Sequence, residues 1–175
     1  MTRDTPMRLQ DDDLEAFRRS VAKWVDASVV PHVETWEHAG RIPRHVYSEA
    51  AELGVLAPGF PSEYGGLGNA KNDLRALMAV CSELSKAASG GFIASLLTHN
   101  ISLPPILASG NRNIIEKVVP RVLAGHAVCS LAITEPGGGS DVAAITTHAR
   151  REGDEWILNG QKTYITSGMQ ADFLT

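Results

Sequence analysis

The chain has 175 residues, 43% hydrophobic and 21% charged, an ordinary globular composition with length for one domain, or for one domain and part of another. Its formal charge of -4 rests on scattered Lys and Arg without a basic stripe, which argues against nucleic acid as a partner. No apolar run approaches a membrane span, and the N-terminus is acidic and polar where a secretion signal is basic then apolar, so the expectation is a soluble, cytoplasmic protein.

In chain order, Asp11-Asp12-Asp13 opens a segment whose apolar residues Leu14, Phe17, Val21, Trp24 and Val25 recur at helical steps. The acidic triplet reads as capping and dipole-matching carboxylates rather than a metal site, and no metal is expected. Pro31 is expected to end this helix. A second helix has Pro43 in its first turn, carries Val46, Tyr47, Ala50 and Leu53 on one side, and stops at Gly54. Residues 56–69 hold four glycines and two prolines and predict a long loop. A third helix is expected from Asn72 or Asp73, with Leu74, Leu77, Met78, Cys81 and Leu84 inward. Cys81 and Cys129 lie far apart with no C-x-x-C pair, so both read as reduced and buried.

Gly90-Gly91 breaks the pattern before residues 92–97, which are apolar on nearly every side and predict a central buried helix. His99 at its end reads as a capping or core-hydrogen-bonded imidazole rather than a catalytic one. Pro104-Pro105 and Gly110-Asn111 bracket a short helix. A last helix carries Ile114, Ile115, Val118, Val119, Val122 and Leu123, is kinked at Pro120 and stops at Gly125.

From Ala127 the period becomes twofold, which sets a domain boundary: residues 1–126 helical, residues 127–175 the incomplete start of a β-domain. The fold class is α+β, an all-α domain followed by an antiparallel sheet. Strands are expected at 127–134, 144–151, 155–158 and 162–166. Gly153-Asp154 and Asn159-Gly160 read as hairpin turns that make the last three antiparallel neighbours. With strand alternation, Tyr164 and Thr166 share one face, and Thr163 and Ile165 the other. Residues 171–175 read as the beginning of another strand.

The apolar run ending at Thr134-Glu135-Pro136-Gly137-Gly138-Gly139-Ser140-Asp141 is where chemistry is expected. Glycines without Cβ atoms permit positive φ, so successive N–H groups can converge on an anion, with the Ser140 hydroxyl as a further donor. A plain tight turn is the alternative. The spacing fits neither standard nucleotide motif: Val142 stands where a dinucleotide fingerprint needs Gly or Ala, and Gln161 separates Gly160 from Lys162 where a P-loop needs them adjacent.

This segment resembles the flavin and acyl-CoA binding loop of the acyl-CoA dehydrogenase family. Downstream, Asn159-Gly160-Gln161-Lys162-Thr163-Tyr164-Ile165-Thr166-Ser167-Gly168 is similar to the family's second flavin-contacting segment. Upstream, Pro61-Ser62-Glu63-Tyr64-Gly65-Gly66-Leu67-Gly68 resembles its early Gly-rich loop. The similarity runs from about Arg8 to the last residue.

The resemblance implies FAD as cofactor, an acyl-CoA thioester as substrate, an electron-transfer flavoprotein as acceptor and a homo-oligomer, dimer or tetramer, when full length. It assigns Leu131, Ala132, Ile133 and Thr134 to the flavin ring, Gly139 and Ser140 to the pyrophosphate, and Ser140 also to acyl-CoA. Tyr164, Ile165 and Thr166 fall in the segment that packs along the flavin, although many relatives carry Trp at the position of Tyr164. Glu135 is not taken as the base; its place before Pro136 suits ordering of the loop through backbone N–H groups. The family's catalytic glutamate lies beyond residue 175, so the chain is expected to be the N-terminal part of a longer enzyme. A flavin oxidase or monooxygenase of the same fold, or a non-catalytic assembly module, are the other readings.

Overall fold

The computed structural model describes residues 10–68 and 74–175. Helix α1, Asp11–Trp24, starts with three carboxylates in its first turn, where they oppose the positive end of the helix dipole. It continues through a π-helical turn, Val25–Val29, closed by Val30 N–H on the Val25 carbonyl at 2.9 Å, and the helical run stops before Pro31, as expected. Helix α2, Val33–Ala39, is a separate element that the periodicity did not separate; it ends at Gly40, whose φ is 66°. Helix α3, Arg44–Glu52, begins directly after Pro43 and is followed by Gly54 at φ 77°, as the punctuation predicts.

Residues 56–68 form the expected loop, holding one short 3-10 turn, Ser62–Tyr64. The start expected for the third helix, at Asn72 or Asp73, lies outside the described residues. Helix α4, Arg75–Leu84, is rotated from the expected stripe. Ala76, Ala79, Val80, Glu83 and Leu84 face inward, whereas Leu74, Met78 and Cys81 are exposed. The inward carboxylate is the reason: Glu83 accepts from Arg18 Nε on α1 at 2.7 Å and is also paired with Lys86. These two cations hold Glu83 below the usual carboxylate range, Lys86 contributing most. Of the two cysteines read as buried, only Cys129 is.

Helix α5, Gly90–Leu96, is capped by Ser89, whose side chain accepts from Phe92 N–H at 3.0 Å. Helix α6, His99–Ala108, contains Pro104 and Pro105 instead of lying between them and Gly110, as the bracketing predicted. Both prolines and Ile101 lie on its exposed side, so the backbone bonds they cannot make fall where water reaches. The span Gly90–Ala108 has a mean hydropathy of 1.2, long and apolar enough by composition to meet the criterion for a membrane span, contrary to the expectation. About a third of it is buried inside the fold, including Thr98, His99 and Ser102. Helix α7, Arg112–Leu123, runs through Pro120 without a break and turns off at Gly125, φ 72°.

Two clusters of buried side chains hold these helices. Val21, Val25, Val46, Leu56, Val80, Leu84 and Leu96 join α1, α3, α4 and α5. Phe60, Leu103, Ile115, Val119, Val122 and Cys129 join α6 and α7 to the first strand. Full burial of such side chains is worth about 1.5–3 kcal/mol each.

Strand content is lower than the alternation suggests. Strand β1 is only Cys129–Ser130, and it pairs with β4, Phe173–Leu174, in parallel rather than antiparallel fashion. Ala132 N–H continues that ladder to the Thr175 carbonyl at 2.8 Å. Strands β2, His148–Glu152, and β3, Glu155–Asn159, form the expected hairpin around Gly153-Asp154. Residues 162–166 are not a strand, and Asn159-Gly160 does not turn the chain into one. The chain is α+β, with a helical part preceding this short sheet region.

Candidate functional site

After β1, residues Leu131, Ala132, Ile133 and Thr134 run half-buried to Glu135, where the chain folds into a tight loop. Glu135 N–H donates to the Gly138 carbonyl at 2.8 Å, and Gly138 N–H returns a bond to the Glu135 carbonyl at 3.1 Å. None of Gly137, Gly138 and Gly139 has a positive φ, so the loop is not the left-handed nest expected from its glycines. Gly139 instead lets the chain lie against Thr134: a Cβ added there sits 3.4 Å from Thr134 Cγ2. Gly139 and Ser140 N–H donate to no backbone acceptor among the described residues, and Ser140 is exposed.

The buried centre of the site is the Glu135 carboxylate, 7% exposed. One oxygen accepts from Thr146 N–H at 2.8 Å and Thr146 Oγ1 at 2.6 Å. The other accepts from Thr147 N–H at 3.0 Å and Lys162 Nζ at 2.8 Å. Lys162, followed by the donors of Thr146 and Thr147, holds this carboxyl well below the usual carboxylate range. Glu135 therefore orders the loop through backbone N–H groups, as read from the sequence, with an ammonium added. A carboxylate so strongly stabilised in its charged form is a poor proton acceptor.

Lys162 makes a second bond, to the Ile133 carbonyl at 3.0 Å, and Thr163 N–H donates to the Thr134 carbonyl at 2.9 Å. These contacts bring the two segments singled out in the sequence together. Gly160 is needed for the approach: at φ 149°, a Cβ there falls 2.1 Å from Thr147 Oγ1. Lys162, Thr146, Thr147 and Gly160 are the site residues that sequence reasoning missed. Only the pairing of a lysine with a buried glutamate could have signalled them, and the two stand 27 positions apart.

The face assignment for residues 162–166 is overturned. Tyr164 has φ 54° and Ser167 φ 58°, so the backbone bends twice where a strand was expected and alternation does not apply. Tyr164 is 92% exposed and Thr166 is exposed, while Ile165 turns into a cleft of about 390 Å³ shared with Trp36, Ile42, Phe92, Ser95 and Gln170. Positive φ at a non-glycine costs energy and concentrates at functional sites. The far end of this segment is tied to the helices: Asp172 accepts from Arg44 at 2.6 Å and from Val128 N–H at 2.8 Å, and Gln170 donates to the Ile42 carbonyl at 3.2 Å. Burial alone would raise the Asp172 carboxyl, yet the Val128 N–H and Arg44 hold it below its usual range.

His99, 3% exposed, bonds the Leu56 carbonyl through Nε2 at 3.0 Å, and burial lowers its pKa to about 4. It is a core imidazole, as expected.

Residues 11–126 match the N-terminal domain of acyl-CoA dehydrogenases and residues 130–175 their middle domain. The mitochondrial long-chain specific acyl-CoA dehydrogenase of Mus musculus is 36% identical over 169 residues, 95% of this chain and 38% of that protein. A crystal structure of acyl-CoA dehydrogenase from Geobacillus kaustophilus superposes with a TM-score of 0.82 at 34% identity, covering 97% of this chain and 43% of that one. An acyl-CoA dehydrogenase of Bacillus anthracis solved with FAD superposes with a TM-score of 0.83 at 30% identity, over 98% of this chain and 29% of the other. The chain thus spans less than half the length of each of these relatives. Both domain matches lie in the order in which the two loops were read, and the chain belongs to the acyl-CoA dehydrogenase family.

Proposed function

We propose that this chain supplies the helical domain and the flavin-facing loops of an FAD-dependent acyl-CoA dehydrogenase that introduces an α,β double bond into an acyl-CoA thioester. The observation that carries this is the joining of the two loops through Lys162, Thr163 and Glu135 next to unoccupied donors. The fit to FAD is chemical. The Thr134, Ser140 and Thr166 hydroxyls bond to no described residue. Gly139 and Ser140 N–H are likewise available for an anionic or carbonyl acceptor.

When bound, FAD supplies the acceptor for the hydride that leaves the β-carbon. The residues of this chain hold and orient. Leu131, Ala132, Ile133 and Thr134 flank the ring, Gly139 and Ser140 meet the pyrophosphate and Ser140 also acyl-CoA, and Tyr164, Ile165 and Thr166 lie along the cofactor. Since Glu135 is committed to Lys162 and the two threonines, the base that takes the α-proton comes from outside these residues. The electron acceptor is an electron-transfer flavoprotein, the assembly a homo-oligomer, dimer or tetramer, and the location cytoplasmic.

The test is the protein purified with FAD and mixed with octanoyl-CoA and an artificial electron acceptor. Bleaching of the flavin band with dye reduction supports the reading in a protein that includes the base. The 175-residue chain by itself should give FAD binding without dye reduction above blank. Hydrogen peroxide formed without dye would favour an oxidase, and no FAD uptake would favour an assembly module.

A further inference from the structure

We propose that Lys162 is a positioning residue whose ammonium, held by Glu135, aims the Ile133–Thr134 peptide so that the Thr134 N–H faces the cofactor. This rests on the flavin reading above. Lys162 Nζ lies 3.0 Å from the Ile133 carbonyl and 2.8 Å from Glu135 Oε1. The peptide is planar and trans, so its C=O and N–H point in opposite directions. Fixing the Ile133 carbonyl toward Lys162 therefore turns the Thr134 N–H away from the 162–163 segment, and that N–H donates to no backbone acceptor among the described residues. The next peptide shows the same logic completed: the Thr134 carbonyl is held by Thr163 N–H at 2.9 Å, and the Glu135 N–H on its other side is used by Gly138.

A lone ammonium would not stay in place. The Lys162 side chain is 21% exposed and the Glu135 side chain 6%, and the carboxylate is itself fixed by Thr146 and Thr147. The pair is thus a rigid post set on the loop that follows Thr134. Arginine can reach both acceptors with a planar fork, whereas methionine keeps the apolar stem and loses the donor.

The experiment compares wild type, Lys162→Arg, Lys162→Met and the double variant Glu135→Gln/Lys162→Met, in which no uncompensated carboxylate remains to unfold the loop. In the apo chain, Lys162→Met should speed amide exchange at Thr163 and Thr147 at least tenfold. In the FAD-loaded protein it should raise the FAD dissociation constant at least tenfold and shift the visible flavin spectrum. Lys162→Arg should restore both to within threefold, and the double variant should keep the spectral shift while its helices melt as in wild type. Lys162→Met with wild-type FAD affinity and spectrum would overturn the positioning role alone. Wild-type protein that takes up no FAD would overturn the flavin reading and this role with it.

Discussion

Replacing Gly160 by alanine tests whether the approach of the second segment to the first is as close as the geometry requires. A Cβ built on Gly160 lies 2.1 Å from Thr147 Oγ1, 2.6 Å from Thr147 Cβ and 2.7 Å from Thr147 Cα, at a backbone φ of 149°. The φ alone costs an L-residue about 1–3 kcal/mol. Rotating the threonine relieves only the first of the three contacts, so the Thr147 backbone must shift, adding about 1–3 kcal/mol. The sum is about 2–6 kcal/mol. Because Thr147 N–H is also a donor to Glu135, the displacement is transmitted to the Gly-rich loop.

Gly153 provides the control. It also has a positive φ, 60°, but a Cβ there meets nothing within 4 Å, so Gly153→Ala should cost only the backbone strain, about 1–2 kcal/mol. The lower entropy of an unfolded chain carrying alanine is common to both variants and cancels in the difference. Urea unfolding followed by far-UV circular dichroism should place Gly160→Ala at least ~1 kcal/mol below Gly153→Ala, with unchanged m values. Adding Thr147→Ala removes the Oγ1 contact and should recover only part of the loss. Equal stabilities for the two glycine variants, or full recovery with Thr147→Ala, would refute the close approach.

Ser140→Ala removes a hydroxyl that is exposed and bonded to no described residue, so thermal stability should barely change. If the hydroxyl meets phosphate or acyl-CoA, affinity should fall by about 1.5–3 kcal/mol, roughly 10- to 150-fold in a titration. A lower melting temperature with native affinity would instead mark Ser140 as part of a structural turn. His99 is neutral in the fold with a pKa near 4, below its ordinary 6.5, so its contribution is complete above pH 6.5 and is lost as pH falls toward 4. That loss should amount to roughly 3 kcal/mol of unfolding free energy. In His99→Gln the slope between these pH values should flatten; an unchanged slope would assign the acid sensitivity to other groups.

What the sequence made legible was local. Pro43 and Gly54 bound α3, Gly125 ends α7, and Gly153-Asp154 makes the β2–β3 hairpin, because each depends on the φ of one or two residues. What escaped depends on partners far along the chain. The inward face of α4 carries Glu83, which is buried against Lys86, three residues on, and Arg18, 65 positions earlier. The Thr-Tyr-Ile-Thr alternation at 163–166 looks like a strand, yet Thr163 gives its N–H to Thr134 and Tyr164 then enters the left-handed region. Glu135 could be read as a loop-ordering carboxylate, but its cation, Lys162, could not.

The segment from 162 to 172 is consequently held by two unlike anchors. At its start, Lys162 and Thr163 bond to Ile133, Thr134 and Glu135, so this end belongs mechanically to the Gly-rich loop. At its end, Gln170 and Asp172 bond to Ile42 and Arg44 at the beginning of α3, so that end belongs to the helices. The Arg44 and Asp172 side chains are 50% and 36% exposed, and an ion pair that open to solvent contributes about 0–1 kcal/mol. The first anchor is buried and the second is not. Tyr164, Ile165 and Thr166 therefore keep their place relative to Thr134 more strictly than relative to Trp36 and Phe92 across the cleft. That division keeps Thr134 and residues 164–166 fixed to one another by buried bonds, while their tie to the helical wall of the cleft is solvent-exposed and weaker.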